Sequence, residues 1–410
     1  MQQLALHEFH LNLGARFAEL NGAEIVNDYG DWLAEHAALR QNAGVLDLSF
    51  RSRICLTGAD RVRFLHGQVT NDVKRLRVGE GGYAAITTNK GKMESDLNIF
   101  CLADELLLDF EPGLTGKISQ RLEKFIVADD AQVVDIAPHY GLLSVQGPKA
   151  GAVVKLVGLF TDIPDQAFNS SKVSDATLGE IYLVKHARLF VQEPGGRGRE
   201  SAHSIPTDNQ RRLTSAATEY LGYDLFIPNS SIGAVAEKLI AAAKQMGGRA
   251  CGWQAFETAR IEAGIPRFGV DMDETNLPLE CGIENRAVSY KKGCYIGQEV
   301  INRVHSFGHV NKELHGLRLA DDLKSLPQRG DKLFSNGKEV GYVTSAVKSP
   351  EFRNIALGYV RREANQMGTE LMLRTAMGES SARVVDTPFK GERHRSSGTN
   401  EKGDMPSLSV

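Results

Sequence analysis

No two of the five cysteines form a Cys-x-x-Cys pair; Cys55, Cys101, Cys251, Cys281 and Cys294 are odd in number and scattered over 410 residues. That spacing excludes a clustered zinc site and a redox dithiol, and points to reduced thiols in a cytoplasmic protein. Long apolar runs are also missing. No stretch reaches the roughly 18 uninterrupted apolar residues of a membrane span. Met1 to Leu20 intersperses His7, Glu8, Asn12, Arg16 and Glu19, so it is read as neither signal peptide nor anchor. There is no basic excess: 48 Lys and Arg face 51 Asp and Glu, a net charge of −3, which argues against direct, stable binding of nucleic acid. The phosphate-loop, dinucleotide, His-Glu-x-x-His and Gly-x-Ser-x-Gly patterns are absent, removing support for nucleotide hydrolysis and for nicotinamide or flavin redox chemistry. Among eleven histidines only His305 and His309 stand at i and i+4, with no third ligand, so no metal centre is expected.

What is present is enough chain for two or three domains. Arg53 to Leu56, Asp96 to Leu102 and Glu105 to Phe110 read as strands, and Ile118, Leu122, Phe125 and Ile126 fall at helical spacing. Leu142 to Val145 forms a strand halted by Gly147-Pro148. Glu180 to His186 and Leu189 to Gln192 read as further strands. Ile232, Val235, Ala236, Leu239, Ile240 and Ala243 mark an amphipathic helix, capped by Ser230 or Ser231 and closed by Gly247. Pro194 to Arg212 reads as a mobile surface loop whose arginines form a solvated face. After His309 come short strands with a hairpin signal at Asn336-Gly337, the pattern of a small antiparallel barrel or sandwich. From Lys390 to Val410 the sequence is polar and poor in apolar residues and reads as a disordered tail.

The sharpest local feature is Lys291-Lys292-Gly293-Cys294-Tyr295-Ile296-Gly297-Gln298-Glu299, a thiol between lysines and a helix start, both of which favour thiolate. A small buried apolar cysteine is the competing reading. Thr88 to Asp96 places a lysine-flanked glycine turn before a strand; Asp96 either faces a cleft, accepting ligand N–H groups or moving a proton, or bonds its own turn. Asp224, within Tyr220 to Pro228, is either solvent-facing or held for a ligand. Arg260 and Glu262 at a tight turn read as a structural ion pair. The polar stretch His66, Gln68, Thr70, Asn71 and Asp72 reads first as turn chemistry.

In order, Ala43-Gly44-Val45-Leu46-Asp47-Leu48-Ser49, Gly58-Ala59-Asp60, Val69-Thr70-Asn71-Asp72, Val145-Gln146-Gly147-Pro148-Lys149 and Arg260-Ile261-Glu262-Ala263-Gly264 resemble the folate-binding family of the glycine-cleavage T-protein (aminomethyltransferase) and the YgfZ-type proteins of iron–sulfur maintenance. Lys292-Gly293-Cys294-Tyr295-Ile296-Gly297-Gln298-Glu299 looks like the YgfZ branch signature. The resemblance covers roughly residues 42–385 and implies an α+β fold of three domains around a central folate hole. It divides the chain into two interleaved α/β domains, 1–140 and 141–308, a C-terminal antiparallel barrel, 309–386, and a disordered tail, 387–410. It also implies tetrahydrofolate or a one-carbon derivative as cofactor, with Tyr83, Asp96, Tyr223, Asp224, Arg260 and Glu262 around it and Cys294 and Asp96 as reacting groups. Ser95 stands where T-proteins carry the first of two aspartates, and Phe256 where they tend to carry arginine. The implied function is a tetrahydrofolate-binding accessory to the assembly or repair of iron–sulfur enzymes, tRNA-modifying ones included. The alternative is an aminomethyltransferase that takes its one-carbon unit from a lipoyl carrier protein and releases ammonia.

Overall fold

A computed structural model describes residues 1–189 and 222–390. The described chain opens with α1 (His7–Asn12), the hairpin β1 (Arg16–Leu20) and β2 (Ala23–Asp28), α2 (Trp32–Gln41) and β3 (Gly44–Asp47). It continues through β4 (Ser52–Thr57), α3 (Arg61–Gln68), β5 (Gly81–Thr87), β6 (Met93–Cys101), β7 (Leu106–Phe110), α4 (Thr115–Glu123) and β8 (Gln132–Asp135). Next come β9 (Tyr140–Gln146), α5 (Ala150–Val157), β10 (Ser170–Asp175), β11 (Gly179–Lys185), β12 (Gly222–Pro228), α6 (Ile232–Gln245), β13 (Arg249–Ala250), α7 (Trp253–Glu262), α8 (Glu284–Ala287) and α9 (Gln298–Phe307). The last part is strands with one short 3-10 turn, Arg362–Ala364: β14 (Lys312–Leu319), β15 (Lys332–Ser335), β16 (Lys338–Ser349), β17 (Arg353–Arg361), β18 (Glu370–Thr375) and β19 (Gly378–Val385).

These strands build a five-stranded sheet of order β5-β6-β7-β4-β8, a six-stranded sheet of order β10-β11-β12-β9-β3-β13, and a closed barrel of order β14-β17-β16-β15-β18-β19. The mixed fold with an antiparallel C-terminal barrel is the expected class. Strand alternation explains how one hairpin serves both a core and a site. In β6, Leu97, Ile99 and Cys101 enter the core with Ile54, Leu106, Ile118 and Leu122, which leaves Asp96 and Asn98 on the opposite face. On α6, Val235, Ala236, Leu239, Ile240 and Ala243 are buried against the six-stranded sheet, as their spacing requires. Asn336 and Gly337 both take positive φ, 49° and 77°, as a tight hairpin demands.

Several expectations fail locally. Ser231 does not cap α6 through its side chain; its hydroxyl donates to the carbonyls of Leu178 (2.7 Å) and Pro228 (3.2 Å), tying the helix start to the neighbouring turn. Leu189 lies in a turn, and residues 190–192 of the strand read there fall outside the described residues, as does the loop 194–212. The tail assigned from 387 begins too early. Phe389 is buried against Ile261, Phe352 and Ile355, and its N–H donates to the Glu262 carbonyl at 2.9 Å. One aromatic residue there gains more from burial than the chain loses by ordering; residues 391–410 lie outside the described residues. No helix among the described residues is long and apolar enough to cross a membrane.

Candidate functional site

A chamber of about 440 Å³ lies where β5, β6, Glu111 just after β7, the segments 166–168 and 185–188, and α7 with the turn at 265–267 converge. Tyr83 and Asp96 meet in it, the phenol donating to Oδ2 of Asp96 at 2.7 Å. Burial, reinforced by the negative Glu111, pushes Asp96 up to about 6 against the opposing pull of Tyr83 and Arg51. Burial and the adjacent carboxylate raise the Tyr83 phenol well above its ordinary value, so the proton between them stays on tyrosine. A carboxylate tuned to the edge of neutrality is suited to accepting a proton or an N–H donor from a ligand. Ser95 supplies no second acid: it is buried, and its hydroxyl donates to the backbone carbonyl of Asp96 at 2.8 Å.

Around this pair the wall is cationic. Arg51, Lys185, Arg188, Arg260, Arg267 and Arg286 line the chamber against only Asp96 and Glu111. Buried acids behind the wall hold several of these side chains in place. Arg51 donates to Asp109 (2.8 Å) and Glu111 (2.6 Å), and Arg188 spans Asp109 (2.9 Å) and Asp224 (2.7 Å). Although burial opposes ionisation, Arg188 and Arg51 hold Asp109 far below the usual carboxylate range. Because Asp109 belongs to β7 and Asp224 to β12, Arg188 clamps the two sheets together at the chamber. Arg260 is locked to Asp271 and Glu257 and donates to Ser345 of the barrel at 2.8 Å. Arg267 is held more loosely: its guanidinium lies 4.8 Å from the Trp253 ring centre, with Nε 3.9 Å from Glu111 and Nη2 3.8 Å from Glu257, and Nε and Nη1 are buried without a hydrogen-bond partner among the described residues. Such unspent donors await an acceptor. Tyr83, Phe168 and Phe256 add ring surfaces to the wall.

The structure therefore brings Tyr83, Asp96 and Arg260 together and separates the rest. Asp224 is fully buried, neither solvent-facing nor open to the chamber; it accepts from Ser144 (2.7 Å) and pairs with His186 (2.8 Å) and Arg188. Tyr223 points to the other side of β12, into the core with Val145 and Leu239, because strand neighbours alternate. Arg260 and Glu262 are not partners: Glu262 binds His36 (3.0 Å) and Ser349 (2.6 Å). Sequence reasoning missed Arg51, Arg188, Arg267, Arg286, Glu111 and His186. The available signal was a lone acid inside an apolar strand, Asp109 within Leu106–Phe110, which forecasts a buried cationic partner without naming it.

The thiol motif departs from expectation. α9 starts at Gln298, four residues after Cys294, and Cys294 is exposed in the preceding loop, away from the chamber lining. Lys292 is buried, and its ammonium donates to the carbonyls of His66 (2.5 Å), Val69 (2.6 Å) and Asn71 (2.9 Å); burial pulls it down to about 8. It serves to fasten the loop. Gly293 is exposed, and Gly297 takes φ +90° with Thr88 O so close that a Cβ would lie 2.5 Å from it. Gln298 N–H donates to Tyr295 O at 3.3 Å, and Glu299 is exposed. His305 stacks on Tyr290 at 3.7 Å, and no group of three metal-ligating side chains occurs among the described residues.

Two family models match the chain: the "GCVT N-terminal domain" over residues 6–195 and 217–292, and the "Glycine cleavage T-protein C-terminal barrel domain" over 312–390. An aminomethyltransferase of Geobacillus sp. (strain WCH70) is 27% identical over 392 residues, covering 95% of this chain and 98% of its own. One from Symbiobacterium thermophilum is 28% identical over 405 residues, covering 96% and 99%. The crystal structure of glycine cleavage system aminomethyltransferase T from Bartonella henselae superposes with a TM-score of 0.79 at 23% identity, covering 96% of this chain and 99% of that one, a likeness of fold.

Proposed function

The chain belongs to the glycine cleavage T-protein family, and from that premise we propose that it binds tetrahydrofolate in the Asp96 chamber and transfers to it an aminomethyl-derived carbon from a lipoyl-bearing carrier, releasing ammonia. The family's aminomethyltransferases use tetrahydrofolate. One observation carries the reading: a carboxylate near pKa 6, hydrogen-bonded to Tyr83, faces a cavity lined by six cationic side chains. The orphaned Arg267 donors and the open acceptor capacity of Asp96 fit a molecule with a pterin N–H edge at one end and glutamate carboxylates at the other. Bound tetrahydrofolate supplies the nitrogen nucleophile. Asp96 orients the pterin and holds or moves a proton, Phe168, Phe256 and Tyr83 offer faces for stacking, and Arg267 and Arg286 attract the carboxylates. Phe256 in place of an arginine removes one guanidinium, but Arg260 and Arg267 face the same cavity from the same helix and its following turn. Relatives that bear the aminomethyltransferase name support this reading over the iron–sulfur one drawn from the thiol motif.

The decisive assay is tetrahydrofolate-dependent ammonia release from an aminomethylated lipoyl carrier protein, run with wild type and Asp96→Asn. Release by wild type that falls at least about a hundredfold in the variant is the expected result; no release by wild type, despite calorimetric folate binding, removes the transferase assignment. One observation favours a second reading as a factor for iron–sulfur proteins, tRNA-modifying ones included: Cys294 is exposed while the other four cysteines are buried. Under that reading Cys294→Ser lowers iron–sulfur enzyme activity in cells and leaves folate binding intact. Unchanged activity eliminates it.

A further inference from the structure

His186 stands in the chamber wall with its two ring nitrogens differently placed. Nδ1 meets Oδ2 of Asp224 at 2.8 Å, and Asp224 is fully buried behind the wall, whereas the His186 side chain stays 11% exposed. Although burial opposes ionisation, Arg188 and His186 hold the Asp224 carboxyl below its ordinary value, so near neutral pH it is a carboxylate that can only accept. The shared proton therefore sits on Nδ1, which leaves Nε2 of the neutral ring a bare lone pair. Nε2 has no hydrogen-bond partner among the described residues, yet it is not shut off from solvent as the orphaned Arg267 donors are. It opens into the cavity that the ring lines. The ring is also held in place: Phe168 lies tilted against it at 5.0 Å, centre to centre, and Phe100 meets it edge-on at 6.3 Å. Phe168 keeps that position at φ +64°, a left-handed backbone that a bulky aromatic residue rarely adopts, with its N–H donating to Lys185 O at 2.8 Å. Strain of this kind clusters at functional sites. Glu111, the chamber's other acid, is engaged by Arg51 at 2.6 Å, so Asp96 and Nε2 of His186 are the bases left among six cationic side chains.

We propose that His186, oriented by Asp224, is a second proton-transfer group of the chamber, one that carries a proton from the attacking nitrogen to the departing one in the step that frees ammonia. The inference rests on the transferase reading above. Displacing one amine by another at carbon requires a proton to leave the incoming nitrogen and another to reach the outgoing one. Nε2 of His186 takes the first as the new C–N bond forms, and Asp224 faces the resulting imidazolium. The ring returns that proton as the old C–N bond breaks, its electron pair stays on the departing nitrogen, and ammonia leaves with the imidazole neutral again. The charged groups facing the ring are Arg188 on its own segment, Asp224 on β12 and Asp109 on β7. Burial and then Arg188 lower the imidazole below its ordinary value, against the pull of Asp224 and Asp109, so near neutral pH it is a free base. Asp224 is a positioning residue.

The test is the pH profile of tetrahydrofolate-dependent ammonia release by the full chain, wild type against His186→Gln. Two bases must be unprotonated in wild type, Asp96 and His186, so log(kcat/KM) falls on the acid side with a slope of about two, and with a slope of about one in the variant. In His186→Gln, kcat drops at least about a hundredfold while calorimetric folate affinity changes by less than about threefold, and free imidazole restores part of kcat to His186→Gly. Imidazole nitrogen-15 NMR of wild type near neutral pH finds the proton on Nδ1 and Nε2 bare. The opposite tautomer, or a wild-type acid slope of one, overturns the proposal whether or not the variants fold. Release by wild type that His186→Gln matches in kcat removes the His186 step alone. No release by wild type removes the transferase reading and this step with it.

Discussion

Asp96 carries opposite consequences for stability and for chemistry. Its carboxyl rises from 3.8 to about 6 on folding, so the folded state binds the proton more tightly. That advantage is complete below about pH 4 and is lost as pH climbs through 6, leaving a cost at pH 7 of up to about 3 kcal/mol. Asp96→Asn removes the cost along with the proton acceptor. Urea unfolding at about pH 7 is expected to find the variant more stable by about 1–3 kcal/mol, with the gap closing near pH 4, while folate affinity falls. A gap that ignores pH contradicts this account. Asp224 behaves in the reverse sense: despite burial, Arg188 and His186 hold it below its ordinary value. Asp224→Asn leaves Arg188 half-paired in the interior and is expected to cost about 3–5 kcal/mol in the same measurement.

Elements were legible where one chain segment dictates its own structure. The repeat on α6, the β6–β7 pairing and the barrel strands all follow from local periodicity and turn chemistry. Asp96 stood out beside its glycine turn, whereas Tyr83 came only from the family resemblance; the β5–β6 pairing, which the sequence reading did not include, is what brings them together. The arginine wall was not legible, because Arg51, Arg188, Arg267 and Arg286 come from separate parts of the chain and meet only in the tertiary fold. The start of α9 was misjudged because Gly297, not the lysine–cysteine stretch, sets it. Gly297 occupies a left-handed conformation against Thr88 O. Gly297→Ala must strain φ and push away the Asn89–Lys92 turn. A loss of at least about 1 kcal/mol and faster proteolysis in residues 88–92 are expected, read by denaturation and limited digestion.

At the scale of the whole molecule, Phe389 shows why the domain division stopped too early. It set the barrel's end at residue 386, three residues before Phe389, yet the segment that follows returns from the barrel to bond Glu262 at the end of α7. Gly264, at φ +70°, lacks the Cβ that would collide with Thr387 there. Phe389→Ala empties this joint and is expected to cost about 3–5 kcal/mol in denaturant unfolding, whereas ending the chain after Lys390 leaves stability unchanged. Equal effects of the two changes speak against the joint.

Topology imposes an order of assembly as well. β3, residues 44–47, leads the chain into a sheet where its two neighbours are β9 at 140–146 and β13 at 249–250. A nascent polypeptide halted after residue 135 holds every strand of the five-stranded sheet, yet β3 hangs beside it with both edges bare, an inviting target for a chaperone until synthesis delivers its neighbours.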